Sequence, residues 1–323
     1  MALSILRMIA AVALSAMACL CAHAQAPYPN QGIRFIVPYA PGGLPDTVAR
    51  IVGQHLQERV GQPVVVENRP GGGAAPAVNA LMGAPADGYT FLVTDGGIVS
   101  TNPALFKQLS YNPKDIVPLA LLGRTPMFLA AHPDLPVATL REFIDYVKAR
   151  PGEINYGSSG VGSIHHLSME ALKAPLQLKM THIPYRGTGQ SVPALLGGHV
   201  QVLFAAYPSL AGAAETKKVK LLAQNGEGRW FQAPEVPAVS EVVVNFDLAT
   251  IVGLFARPGV PPAIVDRITA EAITSANSPA AEKQLRAAGI EPAGGNAEAL
   301  RAALTREIDK VREIVKSAGI EPQ

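Results

Sequence analysis

The chain has 323 residues and a formal net charge of +2 at pH 7, and only 16% of its residues are charged. This nearly neutral balance argues against a nucleic-acid partner, which usually leaves a basic stripe on the protein surface. Both cysteines, Cys19 and Cys21, lie in an N-terminal segment that we expect to be removed. The mature protein is therefore predicted to have no disulfide, no cysteine–metal site and no thiol nucleophile.

The first 24 residues are typical of an export signal. Arg7 precedes an apolar run at 8–20, and Ala22-His-Ala24 supplies the small-x-small cleavage pattern. No later segment has the roughly 18 uninterrupted apolar residues of a membrane span. We expect cleavage near Ala24 and a protein in the periplasm. The alternative is acylation of Cys19, although the residues before it are a poor lipobox.

The rest of the chain alternates short apolar segments with segments of helical periodicity. Apolar residues recur at helical spacing in 48–60 and in 140–147. The apolar segments lack alternation, as strands buried on both faces do. This order predicts parallel sheets covered by helices, and about 300 residues are more than one core usually holds. The predicted strands are 33–37, 64–67, 90–94, 117–122, 127–131, 180–183, 200–205, 220–223 and 251–256.

Two segments, 117–131 and 251–258, are predicted to cross between two lobes. The first lobe would then comprise 25–122 and 253–323, and the second lobe 123–252. The C-terminal part from Pro261 is predicted to be helical, with a Gly-Gly turn at 294–295, and to pack on the first lobe.

The most informative segment joins the strand at 33–37 to the following helix. Its Pro and Gly residues leave backbone N–H groups unpaired at a helix N-terminus, where the helix dipole favours an anion. No Lys follows the glycines, which argues against a nucleotide P-loop. The alternative is a tight turn in which Pro45 begins the helix and Asp46 holds the loop. The candidate ligand-binding residues here are Tyr39, Pro41, Gly42, Gly43 and Asp46.

A second glycine-rich loop, Gly-Ser-Ser-Gly-Val-Gly-Ser at 157–163, also precedes a helix, and Ser163 is its expected N-cap. The loop misses the esterase pattern Gly-x-Ser-x-Gly because Val161 stands at the last position. It also misses the dinucleotide-binding pattern, because His165 occupies the place of the third glycine. Both differences argue against an enzyme.

The histidines do not form a metal-binding pattern. His165 and His166 are adjacent and would point about 100° apart on a helix. His182 and His199 have no HExxH-type neighbours. We therefore predict no metal and no cofactor. Arg186 is able to pair with a ligand carboxylate, although an exposed Arg before a glycine is more often solvated.

Taken together, these motifs resemble the Bug family, the extracytoplasmic solute receptors of tripartite tricarboxylate transporters. The resemblance covers essentially the whole mature chain. It rests on the segments at 37–43 with Asp46, 65–71, 87–90, 155–160 with His166, 182–187 and 195–200.

The resemblance implies a type II periplasmic-binding-protein (Venus flytrap) fold, with two α/β lobes joined by two crossing strands. It implies a narrow cleft that receives a carboxylate through backbone amides, hydroxyls and bridging waters. Loops 41–46, 94–97, 158–163 and 185–187 would line this cleft, and 205–208 would select the far end of the ligand. Beyond the first loop, the implied ligand-binding residues are Thr94, Asp95, Gly96, Ser158, Ser159, Gly160, Ser163, His166, Tyr185, Arg186, Gly187, Ala205 and Tyr207.

The chain departs from many relatives at the far end of the implied cleft. It has Ala205 and Ala206 where they often have Asp, and it lacks their Trp before the second crossing. These differences favour an aromatic or aliphatic mono- or dicarboxylate as the ligand. The expected partners are the membrane subunits of a tripartite transporter, with the receptor itself a monomer. The alternatives are a receptor that signals to a membrane sensor and an exported hydrolase using Ser158 or Ser159.

Overall fold

The computed structural model describes residues 28–185 and 187–322, so the predicted export signal and Arg186 lie outside the described residues. The strands are β1 Ile33–Val37, β2 Val64–Asn68, β3 Thr90–Asp95, β4 Val117–Thr125, β5 Met127–Ala131, β6 Asn155–Ser158, β7 Thr181–Pro184, β8 Val202–Ala206, β9 Lys220–Gln224, β10 Thr250–Ala256 and β11 Glu291–Gly295. The α-helices are α1 Leu44–Val60, α2 Ala75–Gly83, α3 Asn102–Leu105, α4 Leu140–Ala149, α5 Ile164–Leu176, α6 Thr188–Leu196, α7 Tyr207–Glu215, α8 Pro262–Ala276, α9 Pro279–Ala287 and α10 Ala297–Ser317.

The strands form two sheets, as expected for a two-lobed α/β protein. The first sheet has the order β11-β4-β10-β3-β1-β2 and the second β7-β6-β8-β5-β9. Parallel sheets were predicted, but both sheets are mixed. Strand β10 is antiparallel to both β3 and β4, and β5 is antiparallel to β8 and β9, because the crossing strands run back through each sheet. The core strands β1, β2 and β3 are parallel.

The crossing from β4 to β5 orients the two sheets toward each other. Since β10 is antiparallel to both β3 and β4, these two strands run in the same direction, and their carboxyl ends lie at one edge of the first sheet. The chain leaves that edge at Thr125 and enters the second sheet at Met127, which pairs with Ala206 at the carboxyl end of β8. The loops that follow β1 and β3 therefore face the loops that follow β6, β7 and β8.

Helix amphipathicity positions the loops because it fixes each helix on its sheet. In α1, Val48, Val52 and Leu56 are fully buried against the first sheet. In α4, the predicted face of Leu140, Phe143, Ile144 and Val147 is buried in the second lobe. Each fully buried aliphatic side chain contributes about 1.5–3 kcal/mol of transfer free energy. No helix within 28–185 and 187–322 is both long and apolar enough to cross a membrane.

The C-terminal helix α10 was expected to pack on the first lobe only, but it packs on both lobes. Its first half packs on the first sheet through Leu300 and Leu304, as predicted. Its second half places Val311 and Ile314 in the core of the second lobe. The helix therefore bridges both lobes. The lobe limits at 122/123 and 252/253 stay a prediction, with β4 extending to Thr125 and β10 beginning at Thr250.

Strand β11 was missed because its sequence is atypical of a strand. The Gly-Gly pair expected to form a turn lies within it, and Pro292 precedes that pair. Pro and Gly are tolerated in an edge strand, where one row of backbone groups stays unpaired. Here β11 occupies the edge beside β4, with an irregular register between Pro292 and Gly295.

Candidate functional site

Asp46 holds the loop between β1 and α1 in a fixed conformation. It is 2% exposed and accepts hydrogen bonds from the Gly42 amide at 2.8 Å, Arg50 Nε at 2.9 Å and Asn68 Nδ2 at 2.8 Å. Burial raises the pKa of Asp46, but these three hydrogen bonds outweigh burial and hold the pKa below its usual value. Asn68 also donates to the carbonyl of Tyr39. Asn68 lies in the segment at 65–71 on which the resemblance rests, but no role for it in holding this loop was predicted.

The same bonds decide which amides of this loop remain available. The amide of Gly42 donates to Asp46, so this amide is already hydrogen-bonded within the loop. The amides of Gly43, Leu44 and Asp46 make no hydrogen bond with any described residue. Pro41 is exposed at the tip of the loop. The first turn of α1 thus offers three unpaired N–H groups at the positive end of the helix dipole.

Tyr39, Thr94 and Asp95 come together beside this loop. The Tyr39 hydroxyl lies close to Thr94 and Asp95, and burial together with the Asp95 carboxyl raises the pKa of Tyr39 well above its usual value. Burial also raises the pKa of Asp95, which accepts from the Gly97 amide at 2.9 Å. The Thr94 hydroxyl is buried and makes no well-formed hydrogen bond within the described part of the chain.

Gly96 follows Asp95 and contacts Glu307, a residue that was not predicted from the sequence. A Cβ atom at Gly96 would lie 2.2 Å from Glu307 Oε2, so the carboxyl group of Glu307 lies directly against this glycine. Glu307 belongs to α10 and also accepts a 2.5 Å hydrogen bond from Ser100 Oγ. No local sequence signal links Glu307 to this loop, because more than 200 residues separate them.

The loop after β6 is held by its own serines. Ser158 Oγ donates to the Gly160 carbonyl at 3.0 Å and accepts from the Gly160 amide at 3.1 Å. Ser163 Oγ donates to the same carbonyl at 2.7 Å and caps α5 by accepting from the His166 amide. The predicted N-cap is confirmed. These hydroxyls and the Gly160 amide are engaged inside the loop, whereas the amides of Ser159 and Val161 make no hydrogen bond with the described residues.

Three histidines support this loop. His182 Nε2 lies 2.6 Å from Ser158 Oγ, and His165 Nδ1 lies 2.5 Å from Ser159 Oγ. His166 Nδ1 accepts the Gly162 amide at 3.0 Å, which requires that nitrogen to be unprotonated. The rings of His166 and His182 stack 4.0 Å apart. Burial lowers the pKa of His165 and of His182 to about 4, and it also lowers the pKa of His166.

This arrangement does not form a catalytic triad. A triad requires a carboxylate on the second ring nitrogen of the base. Neither His182 nor His165 has an ion pair with a described carboxylate. Glu170 lies 3.8 Å from the ring of His166 instead, at Nε2, and is hydrogen-bonded by Tyr156 and Lys173. Ser158 is 1% exposed. Within 28–185 and 187–322, no group of three His, Cys, Asp or Glu residues is placed to hold a metal ion.

The remaining predicted residues lie at the ends of β7 and β8. The Tyr185 amide donates to the Ser158 carbonyl at 3.0 Å, and Gly187 precedes α6 with a φ of 117°. Ala205 is fully buried in the apolar core of the second lobe, so its side chain does not face the cleft. Ala206 and Tyr207 are partly exposed at the start of α7. The Tyr207 ring packs against Phe128.

Residues 48–320 match the family model of the tripartite tricarboxylate transporter family receptor. The chain belongs to this family. The predicted resemblance is thereby confirmed, and the receptor class it implied is not a class of enzymes.

Sequence and structure comparisons agree with this assignment. The receptor is 33% identical to a UPF0065 protein of Bordetella pertussis over 99% of both chains. It is similar to R. palustris Rpa4515, solved with adipate, with a TM-score of 0.81, 30% identity and coverage of 92% of this chain and 100% of that chain. It is also similar to the periplasmic binding protein BugD, with a TM-score of 0.76, 29% identity and coverage of 92% and 100%. These neighbours share the two-lobed architecture, so the predicted fold class is confirmed.

Replacing Asp46 by Ala should destabilise the receptor by about 2–3 kcal/mol, because a buried acceptor of three hydrogen bonds is lost. Urea unfolding of wild type and Asp46→Ala measures the change. Asp266→Ala, at an exposed acid on α8, is the control and should change stability by less than about 0.5 kcal/mol. Equal stability of Asp46→Ala and wild type would contradict the role of Asp46.

The lowered pKa values of the partly buried His165 and His182 predict a loss of stability in acid. Because their pKa values are lowered in the folded state, the unfolded chain binds more protons below pH 6.5, and stability falls from about pH 6.5 toward pH 4. His182→Gln keeps a hydrogen-bonding group near Ser158. It should reduce the loss of unfolding free energy between pH 8 and pH 4 by roughly 2 kcal/mol. Chemical unfolding between pH 4 and 8 measures it. His199→Gln, at an exposed position, should keep the wild-type slope. An unchanged slope in His182→Gln would refute the assignment.

Proposed function

We propose that this receptor captures a small organic carboxylate in the periplasm, between its two lobes, and delivers it to the membrane subunits of a tripartite transporter. The observation that carries the proposal is the pair of facing loops with unpaired amides. Gly43 and Leu44 provide them on the first lobe, and Ser159 and Val161 on the second. Hydrogen bonds from such groups to a carboxylate are charge-assisted and about twice as strong as neutral ones. The family assignment and the adipate complex of a similar protein support the same ligand class.

Closure of the lobes is supported by direct contacts between them. Leu105 of α3, on the first lobe, packs tightly on Gly162 of the second lobe. A Cβ atom added to Gly162 would lie 2.1 Å from Leu105 Cδ1. At a second contact between the lobes, a Cβ atom added to Gly289 would lie 3.1 Å from Pro208 Cγ. Gln232 also donates to the Arg286 carbonyl at 2.6 Å. A ligand that contacts both lobes favours this closed state because it binds the closed state more tightly than the open one.

The far end of the cleft favours an apolar ligand body. Ala206 and Tyr207 lie at the carboxyl end of β8, opposite the crossing, and neither adds a charge. We therefore propose an aliphatic or aromatic mono- or dicarboxylate, bound without chemical change. No hydrolase is proposed, since Ser158 is buried and since neither the histidine beside Ser158 nor the one beside Ser159 pairs with a carboxylate among the described residues.

Gly43 provides the most direct test of the amide site. Its φ of −74° and the absence of any close described neighbour except the Ala40 carbonyl at 3.6 Å allow a larger side chain to fold. Gly43→Leu should weaken carboxylate binding at least tenfold, because the side chain obstructs the first turn of α1. Calorimetric titration with succinate, adipate, benzoate and citrate measures it.

The matched control is Gly83→Leu, at an exposed glycine of the same lobe with no described heavy atom within 4 Å of the added Cβ. This variant should bind as wild type does. Unchanged affinity of Gly43→Leu would contradict the amide site. Binding of citrate alone would contradict the proposed ligand class.

The contact between Leu105 and Gly162 tests closure. Gly162→Ala should lower ligand affinity by about tenfold, because the added Cβ collides with Leu105 in the closed state. Gly152→Ala is the matched control, since it has a similar φ of +86° but no described atom within 4 Å of the added Cβ. Leu105→Ala in the Gly162→Ala background should recover part of the affinity. Equal affinities of the two glycine variants would show that closure does not use this contact.

A further inference from the structure

Glu307 lies at the middle of the helix that packs on both lobes. It lies on α10 between Leu304, which packs on the first sheet, and Val311, which packs in the second lobe. Its carboxyl group contacts the backbone of Gly96 and the hydroxyl of Ser100, both on the cleft side of β3. Glu307 therefore joins the helix that bridges the lobes to a loop that we expect to line the cleft.

No cation among the described residues pairs with this carboxyl group. None of the ion pairs in that part of the chain includes Glu307, and its one hydrogen-bond donor there is Ser100. The nearby charges that act on it are the carboxylates of Asp95 and Asp247. Burial is the main cause that raises the pKa of Glu307 to about 7; the hydrogen bond from Ser100 opposes this rise, and the charges of Asp95 and Asp247 add to it.

Arg124 and Lys310 are both bound to Asp247, one of the two carboxylates that act on Glu307. Arg124, at the end of β4, pairs with Asp247 at 3.1 Å. Lys310, one turn along α10, donates to the backbone carbonyl of Asp247 at 2.7 Å. Asp95 on β3 is contacted by the Tyr39 hydroxyl and the Gly97 amide. Asp95, Arg124, Asp247, Glu307 and Lys310 thus form a cluster that connects both crossing segments, α10 and the cleft loop. The cluster has three carboxyl groups and two cationic side chains.

We propose that the receptor takes up a proton on Glu307 when it captures its anionic ligand. This inference rests on the proposed function, since it requires a carboxylate bound beside Tyr39 and Asp95. A bound anion adds negative charge to a partly buried cluster that already holds three carboxyl groups. Charges separated by several ångströms of protein interact much more strongly than in bulk water. The protonated form of Glu307 relieves that repulsion.

The sign of the effect follows from linkage. The ligand favours protonated Glu307, so affinity rises as the pH falls through the region near 7. If the ligand raises the pKa by about one unit, affinity changes by up to tenfold, and about half a proton is taken up midway between the two pKa values. His165 and His182 titrate near pH 4 and do not contribute in this window.

Calorimetry in two buffers of different ionisation enthalpy measures proton uptake directly. The probe is adipate, or whichever of succinate, benzoate and citrate binds more tightly, at pH 6.5 to 8.5. Wild type should take up between about 0.3 and 0.6 proton near pH 7.5, and Glu307→Gln should take up less than about 0.1. The isosteric Gln keeps the shape and hydrogen-bonding capacity of the protonated acid.

Two further variants separate a direct role from a structural one. Ser100→Ala removes the donor that stabilises ionised Glu307, so the uptake maximum should move to higher pH. Asp309→Asn, at an exposed acid on the same helix, should keep the wild-type uptake. Binding without uptake in wild type, or equal uptake in Glu307→Gln, would overturn this inference alone. Failure of every acid to bind would overturn the proposed function and this inference with it.

Discussion

The crossing from β4 to β5 is the constraint on which the site depends. It turns the chain from the carboxyl edge of one sheet into the second sheet at the carboxyl edge of β8. The loops that follow the parallel strands β1 and β3 of the first sheet and β6, β7 and β8 of the second then face the same seam. Ligands of open α/β sheets bind at carboxyl edges, and here two such edges meet. A binding site in this fold therefore belongs to both lobes, which makes ligand capture sensitive to their relative position.

Buried polar side chains prepare the two facing loops. Asp46 and Asn68 hold the first loop, and Ser158, Ser163 and the histidines hold the second. Asp46, the two serines and His166 were expected to contact the ligand, but most of their hydrogen-bonding capacity is used inside the loops. The consequence is that amides at the start of α1 and in the loop after β6 remain without a hydrogen bond among the described residues, on loops whose conformation is fixed. Preorganised donors of this kind avoid the entropic cost of ordering a loop upon binding.

Sequence reasoning reached the fold because the evidence for it is local. Apolar runs, helix periodicity and the glycine-rich turns all report on neighbouring residues, and they placed β1, α1, α4 and the Ser163 cap correctly. It failed where the decisive contact is distant in sequence. The bridging position of α10, the Glu307 contact with Gly96 and the pairing of β11 with β4 each join residues far apart in the chain. Ala205 illustrates a third limit, because β8 is buried on both faces and only the residue at its carboxyl end, Ala206, is partly exposed.

The central claim is that one carboxylate is held by main-chain N–H groups from both lobes. A crystal structure of the receptor with a bound dicarboxylate such as adipate tests it most directly. The claim predicts carboxylate oxygens within about 2.7–3.0 Å of amide nitrogens at the start of α1 and in the loop after β6. Density for the acid on one lobe only, or at side chains away from the seam, would contradict it.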